Sequence, residues 1–150
     1  MGSSMISDVL LTKLARVKVP GGDVLHAMKC CDPGYMGFGE AYFSLIKQGV
    51  VKGWKRHQKM TLNLVVPVGA VRFVMYDDRP LSPTCGQFQQ LNLSPDNYGR
   101  LTIPPMVWLG FEGLGGSESL VMNLADMMHD PEEVDRLALA DIDFNWSGSL

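Results

Sequence analysis

The sequence predicts an all-β domain, a sandwich or barrel with little helix. Short runs rich in Val, Leu and aromatic residues recur along the chain. Clusters of Gly, Pro, Asn and Asp separate them. Helix-start chemistry occurs only at Asp130-Pro131-Glu132-Glu133, with a capping Asp, a Pro at the first position and acids in the first turn.

Leu10 to Val19 reads as a strand that ends at the turn Pro20-Gly21-Gly22, and Val24 to Lys29 as a short second strand. Asp32-Pro33-Gly34 is a further turn, and Phe38 to Ile46 resumes strand character. Val50 to His57, Thr61 to Val66 and Ala70 to Tyr76 carry the strongest strand patterns. Pro67-Val68-Gly69 reads as a hairpin link between the last two, with Gly69 supplying positive φ. Gln87 to Leu93 and Leu101 to Ile103 flank the turn cluster Ser94-Pro95-Asp96-Asn97, and Val107 to Phe111 and Ser119 to Leu124 follow. Residues 61–76 are apolar on both alternating faces, so something must cover each face; a second sheet and a second subunit are the expected covers. A homodimer is therefore expected.

The chain has 150 residues, 46% of them apolar and 19% charged, which suits one domain with a core of its own. Met1 to Ser4 reads as a cloning scar before Met5, leaving a single domain over 5–150. The net charge of −3 argues against a general nucleic-acid binder. No apolar run has the ~20 residues of a membrane helix, and no leader pattern precedes the domain, so neither membrane nor secretion is expected. Cys30 and Cys31 are adjacent and Cys85 is alone, which reads as reduced thiols in a cytoplasmic protein.

Lys52, Lys55, Arg56, His57 and Lys59 crowd one stretch of this acidic chain. Cations gathered so closely are expected to surround an anion, or else to form a solvated basic edge strand. On a strand, Lys55, His57 and Lys59 share one face, and Trp54 and Arg56 the other.

These residues carry a resemblance. Gly49-Val50-Val51-Lys52-Gly53-Trp54, Val68-Gly69-Ala70-Val71, Ser82-Pro83-Thr84-Cys85-Gly86 and the Leu101 to Phe111 segment resemble, in order and spacing, motifs of the dTDP-4-dehydrorhamnose 3,5-epimerase family. The likeness runs from about Gly49 to Pro131. It implies a jelly-roll fold of the cupin type and a nucleotide-linked keto sugar of the dTDP type, epimerised without metal or other cofactor. Lys55 stands where that family has its catalytic His, Met122 near its catalytic Tyr, and Leu109 at a second His. The family's His-orienting acid comes from a C-terminal tail, and no counterpart is legible here.

Epimerisation next to a ketone needs a base, an acid on the opposite face and a donor or cation at the enolate oxygen. His57 is the candidate proton carrier, and Lys55, its pKa lowered by Lys52 and Arg56, is the second catalytic candidate. Lys52, Arg56, Lys59, Arg72, Trp108 and Glu40 are the candidate substrate-binding residues; Glu40 meets His57 only if their strands pair. Trp54, Trp108, Trp146 and Tyr76 suit either ring stacking or core packing. His26, His57 and His129 form no His-x-His pair, so no metal site is expected. No phosphate loop or nucleophile elbow occurs. The alternative is a binding or structural homologue that keeps the pocket without catalysis.

Overall fold

The computed structural model describes residues 5–147; the expected cloning scar at Met1 to Ser4 lies outside the described residues. The strands are β1 (Leu10–Lys13), β2 (Arg16–Val17), β3 (Val24–Leu25), β4 (Glu40–Ile46), β5 (Val51–His57), β6 (Leu62–Val68), β7 (Val71–Tyr76), β8 (Phe88–Leu93), β9 (Gly99–Ile103), β10 (Trp108–Gly113), β11 (Ser119–Ala125) and β12 (Val134–Arg136). Two antiparallel sheets, ordered β1-β9-β6-β11-β4 and β12-β5-β10-β7-β8, face each other as a jelly-roll sandwich. β2 and β3 form a small separate hairpin. Among the described residues there is no α-helix, and none is long and apolar enough to cross a membrane.

The main core lies between the sheets. Leu62, Leu64 and Val66 of β6 meet Val71, Phe73 and Met75 of β7 there, each at most 3% exposed. The expected hairpin between β6 and β7 does not form. β6 pairs with β9 and β11, whereas β7 pairs with β8 and β10. The chain crosses between sheets at Gly69-Ala70, so the two apolar strands face each other across the core instead of lying side by side. The reversal needs glycine. Gly69 has φ +85°, and a Cβ there would lie 2.2 Å from the Ser119 hydroxyl. That hydroxyl accepts from the Ala70 amide and donates to the Ala70 carbonyl, both at 3.1 Å.

The outward apolar face of β7 is covered within the chain. Val74 packs with Trp54, Trp108 and Ile142, and Phe144 and Trp146 lie against them. The C-terminal segment thus seals the back of the second sheet. On the first sheet, Arg100 is fully buried and donates to the Ala27 and Pro33 carbonyls at 2.7 and 2.8 Å, pinning the 26–33 loop over β9. The apolar doublet of 61–76 therefore gives no reason for a second subunit.

Asp77 directly follows β7 and anchors the Ser82-Pro83-Thr84 turn. Its carboxylate accepts from Ser82 and Thr84 hydroxyls, both at 2.6 Å, and from the Arg79 guanidinium at 2.8 and 3.0 Å. Burial opposes its ionisation, but these bonds outweigh it and hold the carboxyl far below the usual carboxylate range.

The helix expected from Asp130 is a single 3-10 turn, Pro131–Glu133. Asp130 caps it as expected, its Oδ1 accepting from the Glu132 amide at 3.0 Å. The chain then joins β5 instead of coiling on, with Val134 opposite His57. Leu10 to Val19 breaks into β1 and β2, and strand character after Val24 lasts only through Leu25.

Candidate active site

β5 is the central strand of the site. Leu109 of β10 pairs with Lys55, and Phe111 with Lys52, so three steps on β5 match two on β10. This bulge inserts one residue and resets the alternation. Residues three apart on a regular strand face opposite ways. Here Lys52 and Lys55 both line one cavity.

That cavity, about 330 Å³, lies between the sheets. Its floor is apolar, with Leu62, Leu64, Phe73 and Leu109. Its polar lining comes from both walls: Tyr42, Ser44 and Asn123 from β4 and β11, and Lys52, Lys55 and Arg136 from β5 and β12. Apolar space with a few convergent polar groups is the usual make-up of a small-molecule site.

Lys55 is half-buried on this wall, opposite Arg136 in the strand register. Burial lowers its pKa most, the Arg136 charge lowers it further, and the Glu133 carboxylate works the other way. The net direction is down, toward the neutral amine. The direction matches the sequence expectation, but the causes are burial and Arg136 rather than Lys52 and Arg56.

His57 does not line this cavity. It points into a smaller side pocket that also has Lys55, Leu62 and Leu109 on its walls. The His57 ring is buried, with Nδ1 in a short contact with Glu133 Oε1. Its buried Nε2 has no hydrogen-bond partner among the described residues. Glu133 Oε2 accepts from the backbone amides of Lys59 and Met60 at 3.0 and 3.1 Å. Burial raises the Glu133 pKa, but the bonds from His57, Lys59 and Met60 together bring it below the ordinary value. An orienting acid is therefore present, and it comes from the 3-10 turn before β12. Sequence reasoning missed it because Asp130-Pro131-Glu132-Glu133 read as a helix start.

The other sequence candidates scatter. Lys52 is exposed at the cavity mouth, its Nζ donating to the Leu45 carbonyl at 2.8 Å. Arg56 points out of the sandwich, paired with Asp135 at 2.8 Å and Asp78 at 3.2 Å, its guanidinium 4.5 Å from the centre of the Trp108 ring. Trp108 is buried on that outer face and donates to Asp78 at 2.9 Å. Arg72 is 2% exposed behind the second sheet, bound to Glu112 and the Trp146 carbonyl. Lys59 lies beyond the end of β5, exposed. Glu40 accepts from the His129 amide at 3.0 Å, and its strand pairs with β11 rather than β5, away from His57. The structure brings together Lys52, Lys55 and, behind them, His57. It does not bring Arg56, Lys59, Arg72, Trp108 or Glu40 to the cavity.

Tyr42, Asn123 and Arg136 were not legible as site residues. Asn123 gives the clearest signal in hindsight, as a polar side chain among the inward positions Val121 and Ala125 of β11. Leu109 lies on the cavity wall, whereas Met122 pairs with Phe43 on the outward face.

Two facing antiparallel sheets around an apolar-floored, cation-lined cavity define a jelly-roll protein of the cupin type. Within that class the sequence profile of dTDP-4-dehydrorhamnose 3,5-epimerase matches residues 28–149, and the chain belongs to this family. Over 96 residues it is 33% identical to the Haloferax volcanii protein named "probable low-salt glycan biosynthesis epimerase", covering 63% of this chain and 62% of that one. Over 114 residues it is 32% identical to the spore coat polysaccharide biosynthesis protein SpsL of Bacillus subtilis, covering 73% of this chain and 76% of that one. The crystal structure of a dTDP sugar isomerase from Desulfovibrio desulfuricans superposes with a TM-score of 0.91 at 41% identity, over 96% of this chain and 94% of that one. The chain thus spans just under two thirds of the archaeal relative's length and nearly all of the Desulfovibrio protein.

Proposed function

We propose that this chain is an epimerase or isomerase of a nucleotide-linked keto sugar, of the dTDP type, working by proton abstraction next to the ketone without metal. The observation that carries this reading is Lys55, half-buried on the cavity wall with its pKa lowered. In its neutral form this amine takes the proton, and the enolate forms in a cavity whose lining includes the cations of Lys52 and Arg136. Lys55 occupies the place of the family's catalytic His, so the base is retained in position and changed in kind. His57, held by Glu133, stands behind Lys55 in the side pocket and sets its surroundings. Lys52 and Arg136 at the mouth suit a diphosphate, which charge-assisted bonds would hold while the sugar enters. A cationic lining repels a divalent metal, which supports the metal-free reading.

The test is deuterium wash-in from solvent with a panel of nucleotide-linked 4-keto sugars. The expected result is exchange at the carbon next to the ketone, falling ~10²–10⁴-fold in Lys55→Met. A thermal shift without exchange would instead favour the non-catalytic homologue, a reading that rests on Met122 and Leu109 at the family's Tyr and His positions.

The homodimer belongs here too, on a different surface from the one the sequence suggested. Phe43 and Leu45 of β4 are 63% and 51% exposed, beside their register partners Met122 and Leu120. A second copy would cover this apolar strip. Light scattering at micromolar concentration tests it, and a monodisperse monomer would refute it. Cys30, Cys31 and Cys85 are free and exposed, which suits the reducing cytoplasm.

A further inference from the structure

We propose that Tyr42 is the acid that returns the proton to the sugar on the face opposite Lys55, so that the site inverts the carbon it deprotonates. This rests on the enolate reading above. An epimerase needs its proton donor and acceptor on opposite sides of one carbon. The cavity offers that arrangement. Lys55 belongs to the sheet of β5 and β10, and Tyr42 to the facing sheet of β11 and β4.

The local pattern on β4 aims Tyr42 inward. Ala41, Phe43 and Leu45 are exposed, and Tyr42 and Ser44 alternate with them as half-buried cavity residues. In the register, Tyr42 stands opposite Asn123, and Phe43 opposite Met122. Met122 therefore faces away from the cavity, and the phenol reaches the same wall from the neighbouring strand.

Tyr42 is also free to act. Its hydroxyl makes no hydrogen bond to another described residue, whereas the Tyr98 hydroxyl donates to the His26 carbonyl at 2.6 Å. Of the cavity's ionisable side chains, Lys52, Lys55 and Arg136 are basic, and Tyr42 is the one neutral acid among the described residues. Burial, then the Glu40 charge, raise the Tyr42 pKa, which keeps the phenol protonated at neutral pH.

The step balances without a co-reactant. Neutral Lys55 Nζ takes the proton from the carbon next to the ketone. The C–H electron pair becomes the C=C bond, and the carbonyl π pair moves to oxygen as the enolate. The enolate then re-forms the ketone while the same carbon takes the Tyr42 proton from the other side. The resulting ammonium and tyrosinate are reset by proton exchange with solvent.

The experiment compares two rates in D2O with a dTDP-linked 4-keto hexose: deuterium incorporation and formation of the inverted epimer. In Tyr42→Phe, incorporation into recovered, uninverted substrate continues, because Lys55 still removes the proton and can return one on its own side. Formation of the epimer falls ~10²-fold or more. Binding of dTDP, read by thermal shift, is unchanged. Tyr42→Met gives the same split should the Phe variant fold poorly. If the parent exchanges deuterium and Tyr42→Phe inverts at the parental ratio, or loses both rates equally, Tyr42 is not the acid and the enolate reading survives. If the parent exchanges none with any sugar in the panel, both proposals fall.

Discussion

Replacing Glu133 by Ala removes a carboxylate that makes three contacts at once. Its Oε1 holds the His57 ring, and its Oε2 accepts from the Lys59 and Met60 amides. Glu133 is 3% exposed and His57 9%, so water cannot freely take the lost partner's place. A hydrogen bond to a charged group contributes about 1.5–3 kcal/mol, and the bare sum of three runs to roughly 5–9 kcal/mol. Relaxation of the turn and water entry reduce that sum. We take a reduced value of about 3–5 kcal/mol for Glu133→Ala. For a chain of this size, about 2–4 °C per kcal/mol converts it to a Tm loss of roughly 6–20 °C. Glu133→Gln keeps the shape and one acceptor oxygen for the amides but loses the charge. Neutral bonds are about half as strong, so its loss is roughly half that of Ala. Urea unfolding at one fixed protein concentration measures both variants, with the m value checking that the unfolded state is unchanged. A Glu133→Ala protein within about 1 kcal/mol of the parent would refute this account, since two buried bonds and a third part-buried one cannot be lost so lightly.

Acid should weaken the fold through Asp77. Its folded pKa lies below the ordinary 3.8, so its stabilisation is complete above that value and is lost as pH falls further, while Asp77→Asn loses it at neutral pH as well; pH-dependent unfolding of both proteins checks this. The wash-in rate should rise with pH as Lys55 becomes neutral, with a midpoint below its ordinary 10.5, and a midpoint at or above that value would remove Lys55 as the base. Lys52→Ala and Arg136→Ala should each weaken nucleoside diphosphate binding by roughly 1–3 kcal/mol by calorimetry, with a smaller salt dependence. Gly69→Ala should destabilise by about 1 kcal/mol or more, because it places a Cβ at positive φ against the Ser119 hydroxyl; an unchanged denaturation midpoint would contradict the crossing described at that residue.

Strand existence was legible because alternation and turn chemistry are local. Sheet membership was not, because a strand has the same period whichever sheet it joins. Thus Thr61 to Val66 and Ala70 to Tyr76 were recognised, but their separation into two sheets was missed. In the site, alternation correctly put Lys55 and His57 on one side of β5 and Trp54 and Arg56 on the other. It could not foresee the bulge that brings Lys52 to the cavity, or the end of β5 that leaves Lys59 behind. A charge cluster in sequence does not show which members already have partners. Arg56, on the outer side of β5, is already held by Asp135 and Asp78, residues 79 and 22 positions away. Glu133 and Arg136 escaped notice because they lie on a three-residue strand and the short turn before it, too brief to show a pattern.

The aromatic seal behind the second sheet also has an optical consequence. All three tryptophans of the chain, Trp54, Trp108 and Trp146, belong to it. Trp54 directly precedes Lys55 on β5, and its ring lies 5.4 Å from that of Trp146. Tryptophan fluorescence, excited selectively above the tyrosine band, therefore reads one location: the reverse of the wall that carries Lys55, together with the docking of the C-terminal segment. Tryptophan emission is a local gauge of β5, and a change in it on adding a sugar nucleotide reports a rearrangement reaching the strand from its cavity side.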